Sequence, residues 1–218
     1  MKFTYLTLFP QIMRCYFEDS ILKRAIQKGL LQTEFVDFRE FSKDSHKKVD
    51  RPKAGGGAGM LLTPQPIADA IKSVREKESW VIFTTPAGKR FNQKDAKRLA
   101  LKKNIIFVSG RYEGFDERVV ERYADEVFSI GDFVLTGGEL ASLVMSDAIA
   151  RNIRGVLGNE ESLVEESFEE GLLEAPAFTK PIEFEGSKIP SEFLKGNHAK
   201  ITALKNSMAL LRTRYYRP

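Results

Sequence analysis

The sequence predicts an α/β protein built on a largely parallel sheet covered on both faces, and three observations carry that expectation. Short apolar runs alternate with stretches of helical periodicity, the runs lack the polar alternation of a half-wetted sheet, and glycine-rich bends follow several of them. At 218 residues, 42% hydrophobic and 29% charged, the chain has the composition of an ordinary soluble protein and the length to bury a substantial core, as one large or two modest domains.

Taken in order, Phe3 to Phe9 reads as a strand and Gln11 to Lys28 as one amphipathic helix, with Gly29 where a C-cap glycine belongs. Cys15, alone of its kind, lies on that helix among Ile12, Met13, Tyr16 and Phe17. A packed thiol in a reducing compartment is expected. Glu34 to Phe38 is a second strand, followed by a polar surface loop from Arg39 to Lys53 and the glycine run Ala54 to Met60. Thr63 as N-cap and Pro64 as first helical residue then open a helix with Ile67, Ala70, Ile71 and Val74 on one face. Trp80 to Thr84 is a compact strand, the loop Thr85 to Arg90 follows, and Asn92 caps the next helix. Ile105 to Ser109 is a buried strand ending in Gly110-Arg-Tyr-Glu-Gly114, and a helix from about Asp116 to Tyr123 leads to a strand at Glu126 to Ile130.

The stretch Ser129 to Glu139 is the organising bend. It joins that last strand to a helix bearing Leu140, Leu143, Val144, Ala148 and Ile149, through Gly131, Gly137 and Gly138. Positions without a Cβ let backbone groups approach a ligand, and open α/β sheets bind ligands at the carboxyl ends of their strands. Three such loops, Thr85 to Arg90, Gly110 to Gly114 and Gly131 to Gly138, should share one edge. Beyond Gly155-Val-Leu-Gly158 the character changes, which sets the expected boundaries at 1–157 for the first domain, 158–170 for an acidic linker and 171–218 for a small helical domain. That last part ends in a basic helix from His198 to about Arg212, with Ile201, Leu204, Met208 and Leu211 as its stripe.

The formal charge of +4 and a pI near 9.0 fit a polyanionic partner. Lys195, Lys200, Lys205, Arg212, Arg214 and Arg217 share the last segment with no acidic residue, while Glu160, Glu161, Glu165, Glu166, Glu169, Glu170 and Glu174 crowd the linker region. The amino terminus lacks the pattern of a signal peptide, and no apolar stretch reaches membrane-spanning length, so a cytoplasmic protein without a membrane partner is expected. There is no P-loop motif, and Leu62 stands where a dinucleotide-binding fingerprint needs its last glycine. With His46, His198 and Cys15 alone, a zinc site or a histidine-activated nucleophile has little material, and no metal is expected.

Arg51-Pro with Gly55-Gly-Gly-Ala-Gly-Met60, Ser109-Gly-Arg-Tyr-Glu-Gly-Phe-Asp-Glu-Arg118, Ser129-Ile-Gly-Asp-Phe-Val-Leu-Thr-Gly-Gly-Glu139, Pro176-x-Phe-Thr-Lys-Pro181 and Gly196-Asn-His198 occur in an order that closely resembles the bacterial tRNA (guanine-N1)-methyltransferases of the TrmD type, in the SPOUT superfamily. The resemblance spans nearly the whole chain. It implies an α/β domain with a deep trefoil knot plus a small C-terminal helical domain, assembled as a homodimer. Pattern reasoning alone excludes a knot, because knots are so rare. It also implies S-adenosylmethionine as methyl donor and tRNA as substrate, methylated at N1 of the guanosine immediately 3′ to the anticodon.

Carried over motif by motif, the donor contacts fall on Thr85, Pro86, Gly110, Tyr112, Glu113, Gly114, Ser129, Ile130, Gly131, Asp132, Phe133, Val134, Leu135, Gly137 and Gly138. The catalytic pair implied is Glu166, as general base, and Arg151. The family has an aspartate before Ser-Phe where this chain has Glu166-Ser167-Phe168, and the adjacent Glu165 is an alternative base. N1 of guanine bears a proton at neutral pH, so its attack on a methyl group needs a base and a cation to steady charge on O6. A linker carboxylate ordered by arriving RNA would couple recognition to catalysis. Lys180, His198, Lys200, Arg212, Arg214 and the Arg39 to Lys53 loop would contact RNA phosphates. A ribose 2′-hydroxyl methylase of the same superfamily and a non-catalytic RNA-binding module are the competing readings.

Overall fold

The computed structural model describes residues 1–159, 166–168 and 171–218, and the chain divides into two compact units, Met1–Gly158 and Asn159–Pro218. Most of the acidic linker expected at 158–170, Glu165 included, lies outside the described residues.

The first unit runs β1 (Lys2–Thr7), α1 (Pro10–Arg14), α2 (Ser20–Gln27), β2 (Gln32–Asp37), β3 (Asp50–Pro52), β4 (Met60–Leu62), α3 (Pro64–Val74), β5 (Ser79–Arg90), α4 (Gln93–Leu99), β6 (Asn104–Ser109), α5 (Glu117–Tyr123), β7 (Glu126–Ser129) and α6 (Glu139–Ala150). Five strands form one sheet in the order β2-β1-β6-β5-β7, and every pairing in it is parallel. Side chains alternate between two buried layers. Phe3, Tyr5, Ile82, Ile105 and Phe107 face α2, α4 and α6, while Leu6, Val81, Phe83, Ile106 and Val108 face α3 and α5. Because both faces are covered, β6 is buried along its whole length, and its middle, Ile105 to Val108, is a continuous apolar run.

The expected helix from Gln11 to Lys28 is instead two helices joined by a short 3₁₀ turn at Cys15–Phe17. Asp19 caps α2 by accepting from the Ser20 amide, and Ser20 sits at φ 57, which a continuous helix does not allow. Cys15 is exposed, contrary to the packed thiol expected, because Met13 and Phe17, about one turn apart, take the buried face and leave Cys15 on the opposite side. The Arg39 to Lys53 loop also contains more order than expected. It closes with β3, which pairs antiparallel with β4 across the glycine run. Thr63 holds the N-cap position of α3, but its hydroxyl donates to the Val49 carbonyl at 3.0 Å rather than capping the helix.

The predicted loop Thr85 to Arg90 is part of β5. The strand leaves β7 after Thr84 and re-pairs at Lys89, so Thr85 to Gly88 bulges from the sheet end. Gly88 passes so close to β7 that a Cβ there would lie 2.5 Å from the Phe128 carbonyl carbon.

A line of buried polar groups fixes α6. Tyr5 Oη donates to Ser146 Oγ at 2.6 Å, Ser109 Oγ and Ser142 Oγ share a 2.9 Å bond, and Thr7 Oγ1 donates to Glu139 Oε1 at 2.7 Å. Glu139, Ser142 and Ser146 fall on one helical face, so the helix is set in register on β1 and β6 by bonds each worth about 1 kcal/mol. Burial pushes the Tyr5 phenol far above its ordinary range.

The second unit holds the two-residue strands β8 (Glu183–Phe184) and β9 (Ser187–Lys188), which form a hairpin, and α7 (His198–Tyr216). Asn197 caps α7 by accepting from the Lys200 amide. Among the described residues of this unit none is fully buried. The expected apolar stripe is also shifted, since Ile201, Leu204 and Met208 are half-buried but Leu211 is 61% exposed.

Candidate functional site

The three loops expected to share an edge meet at the carboxyl ends of β5, β6 and β7. The Gly138 amide donates to the Gly110 carbonyl at 2.8 Å, and the Thr84 hydroxyl lies 3.3 Å from the carbonyls of both Val108 and Gly138. Glycine is required at this junction. A Cβ on Gly138 would lie 2.3 Å from Thr84 Oγ1 and 2.9 Å from the Gly110 nitrogen, and one on Gly137 would lie 2.3 Å from Arg111 Nε.

Around this junction the loops enclose a hollow of about 260 Å³. Of the residues that the motifs assign to the donor, Thr85, Pro86, Gly110, Tyr112, Glu113, Gly114, Ser129, Ile130, Phe133, Val134, Leu135, Gly137 and Gly138 line it. Gly131 and Asp132 are not on its wall. A Cβ on Gly131 would press on the Phe133 ring at 2.3 Å, and Asp132 pairs with Arg90 on the outside. Thr84, Arg111, Phe115, Phe128, Thr136 and Ala141 also line the hollow, beyond the residues that the motifs assign. Arg111 and Thr136 sit inside the assigned loops, between Gly110 and Tyr112 and between Leu135 and Gly137, whereas Thr84, Phe115, Phe128 and Ala141 depend on where each strand and helix ends.

The walls carry few charges. Glu113 pairs with Lys53 at 2.9 Å, both partly exposed, which contributes little stability. The same residue anchors the glycine-run hairpin, because its amide donates to the Met60 carbonyl at 3.0 Å and Gly59 lies against its side chain. Arg111 lies 2.9 Å from the buried Glu139, reaches the Thr136 carbonyl at 3.3 Å and stacks 4.5 Å above the Phe9 ring centroid. The guanidinium therefore braces the turn that carries Thr136 and Gly137.

Arg151 follows α6 in the first unit, its amide bonded to the Asp147 carbonyl at 3.1 Å. Glu166 lies in the second unit, where it lines a separate hollow of about 480 Å³ with Phe178, Phe193, Lys205 and Asn206. Lys180, His198, Lys200 and Arg214 are exposed. Arg212 is half-buried and spends part of its guanidinium on the Glu174 carbonyl at 3.3 Å, so it is less available to RNA than its neighbours. Among the described residues there is no group of three or more acidic, histidine or cysteine side chains placed to hold a metal ion, and no helix long and apolar enough to cross a membrane.

Comparison with known proteins gives a single outcome. A family model described as tRNA (Guanine-1)-methyltransferase TrmD matches residues 1–218. A tRNA (guanine-N(1)-)-methyltransferase from a Nitratiruptor species is 72% identical over 218 residues, covering 100% of this chain and 96% of that protein. Proteins of the same name from a Sulfurovum species and from Campylobacter curvus are each 58% identical over 220 residues, covering all of this chain and 97% and 93% of their own lengths.

Proposed function

The chain belongs to the tRNA (guanine-1)-methyltransferase TrmD family, and we propose that it transfers a methyl group from S-adenosylmethionine to N1 of the guanosine immediately 3′ to the anticodon, position 37 of tRNA. The observation that carries this reading is the junction at Gly138, which ties three strand-end loops around one hollow. Its residues fit the donor. Glycines at 110, 137 and 138 let the loops close on Phe115, Arg111 and Thr84, where a Cβ would collide, and Phe115, Phe128, Ile130 and Leu135 give the hollow an apolar lining with backbone polar groups between. Bound there, S-adenosylmethionine supplies an electrophilic methyl group on a sulfonium.

The chain's own tasks are to hold the donor, orient guanine, take up the proton from N1 and steady charge on O6. Glu166 is the base in this reading and Arg151 the cation. The exposed cations Lys180, Lys200 and Arg214, with His198, meet the RNA backbone and position it. We read the crossing from β7 at the sheet edge, past Gly110 near its centre, to α6 as the threading of a trefoil knot. Phe9, Ile12, Leu140 and Val144 are all exposed on or beside α1 and α6, and we take this apolar face as the contact between two copies in a homodimer. The working compartment follows from the substrate and is the cytoplasm.

Mass mapping of transcribed tRNA tests the reading. Methyl incorporation at N1 of guanosine 37, lost when that base is replaced, is the expected result; modification of a ribose or of another position overturns it.

A further inference from the structure

Resting on the donor reading, we infer that Glu139 is the residue that adapts the hollow to a cationic donor, by neutralising Arg111 from behind the wall. The lining of a site for a positively charged molecule contains a guanidinium, which is adverse unless compensated. Glu139 stands at the first position of α6, and its side chain is 2% exposed against 21% for Arg111. Its Oε1 is taken by the Thr7 hydroxyl at 2.7 Å. Its Oε2 lies 2.9 Å from Arg111 Nε, yet neither atom has an aligned hydrogen bond, so charge rather than bond geometry couples them. The other charged group on the wall, Glu113, is already matched by Lys53.

The donor carries one net positive charge, from a sulfonium and an ammonium against one carboxylate. After transfer the sulfonium is a thioether, and the product, S-adenosylhomocysteine, has no net charge. The balance between Arg111 and Glu139 therefore sets how the site discriminates donor from spent product, two molecules of nearly one shape. Removing the carboxylate leaves an uncompensated cation that repels the donor and hardly affects the product. Removing the guanidinium does the reverse.

The experiment is calorimetric titration of the full chain and of Glu139→Gln, Arg111→Gln and the double variant with both molecules, with thermal melts to confirm folding. The ratio of donor to product affinity is expected to fall about three- to tenfold in Glu139→Gln, to rise in Arg111→Gln and to return near the starting value in the double variant. A purely structural role for the pair lowers both affinities together and leaves the ratio unmoved, and that result overturns the inference. If Glu139→Gln does not fold, Arg111→Gln decides alone through the direction of its shift. An unsubstituted chain that bound neither molecule would overturn the donor reading and the inference with it.

Discussion

The two units contrast in what holds them together. In Met1–Gly158 a parallel sheet is buried between two apolar layers, and even its polar side chains at Ser109, Ser142 and Ser146 are fully enclosed and bonded. In Asn159–Pro218 no described residue is fully buried, and the 19-residue helix α7 has no acidic residue in its first turn and no buried side chain. A rigid frame suits a hollow shaped by backbone groups, where a displacement of an ångström spoils the fit. The cations proposed to meet RNA, Lys180, Lys200 and Arg214, stand exposed on the second unit, where no apolar core fixes their positions as the sheet fixes the hollow. In the proposed reading the donor hollow and Arg151 belong to Met1–Gly158 and the base Glu166 to Asn159–Pro218, so the contrast teaches that donor affinity should be separable by mutation from the base's share of methyl transfer.

The sharpest test of that separation is Glu166→Gln. Turnover is expected to fall about 10²- to 10⁴-fold, the range for loss of a general base, while donor affinity stays unchanged. Single-turnover kinetics and calorimetry measure the two effects. If Glu165→Gln abolishes transfer and Glu166→Gln does not, the base moves by one residue and the separation survives; if donor binding falls in step with turnover, the separation fails.

Stability should divide the same way. Phe107, fully buried, stacks on Tyr5 at 5.5 Å and tilts against Phe3 at 6.0 Å. Phe107→Ala should cost about 3–5 kcal/mol in chemical denaturation, through lost transfer energy and the cavity left behind. A somewhat smaller change is expected for Gly138→Ala, about 1–3 kcal/mol, because the added methyl collides with backbone at Gly110 as well as with the Thr84 hydroxyl. That substitution should also abolish measurable donor binding while RNA affinity, read by filter retention, is retained. Equal loss of both ligands would erase the distinction between the units.

How much of this was legible in the sequence depended on what each residue answers to. Strands such as Ile105 to Ser109 are readable because a parallel strand buried on both faces is apolar through its middle, here Ile105 to Val108. The caps at Asn92 and Asp116 were readable or nearly so because capping is a local contest for backbone amides. The break at Asp19 is not legible, since the apolar spacing from Ile12 to Ile26 satisfies one long helix as well as two short ones. The bulge at Thr85 to Gly88 was hidden for a different reason, because it is defined by the partner strand at Phe128 and not by anything within β5. The same holds at the site. The glycines announced a close approach, but that Gly131 meets Phe133 while Gly138 meets Thr84 depends on the path of the chain between strands.

The smallest expected effect lies on α7, where the sequence misplaced one residue of the inward face. At 3.6 residues per turn Arg212 falls nearly in line with Ile201 and Met208, whereas Leu211 is rotated about 80° from Ile201. The side chains follow that geometry, with Arg212 half-buried and bonded to the Glu174 carbonyl at 3.3 Å and Leu211 left 61% exposed. A long cationic side chain can cover apolar surface with its stem while its head finds a carbonyl, so the more polar residue takes the inner position. Leu211→Ala should therefore change stability by no more than about 0.5 kcal/mol. Arg212→Ala should cost about 0.5–1.5 kcal/mol, from the lost bond to the carbonyl. Thermal melts of the two variants measure the difference. The reverse order would mean that Leu211 packs inward after all, and that the second unit has more of a core than its exposed surface indicates.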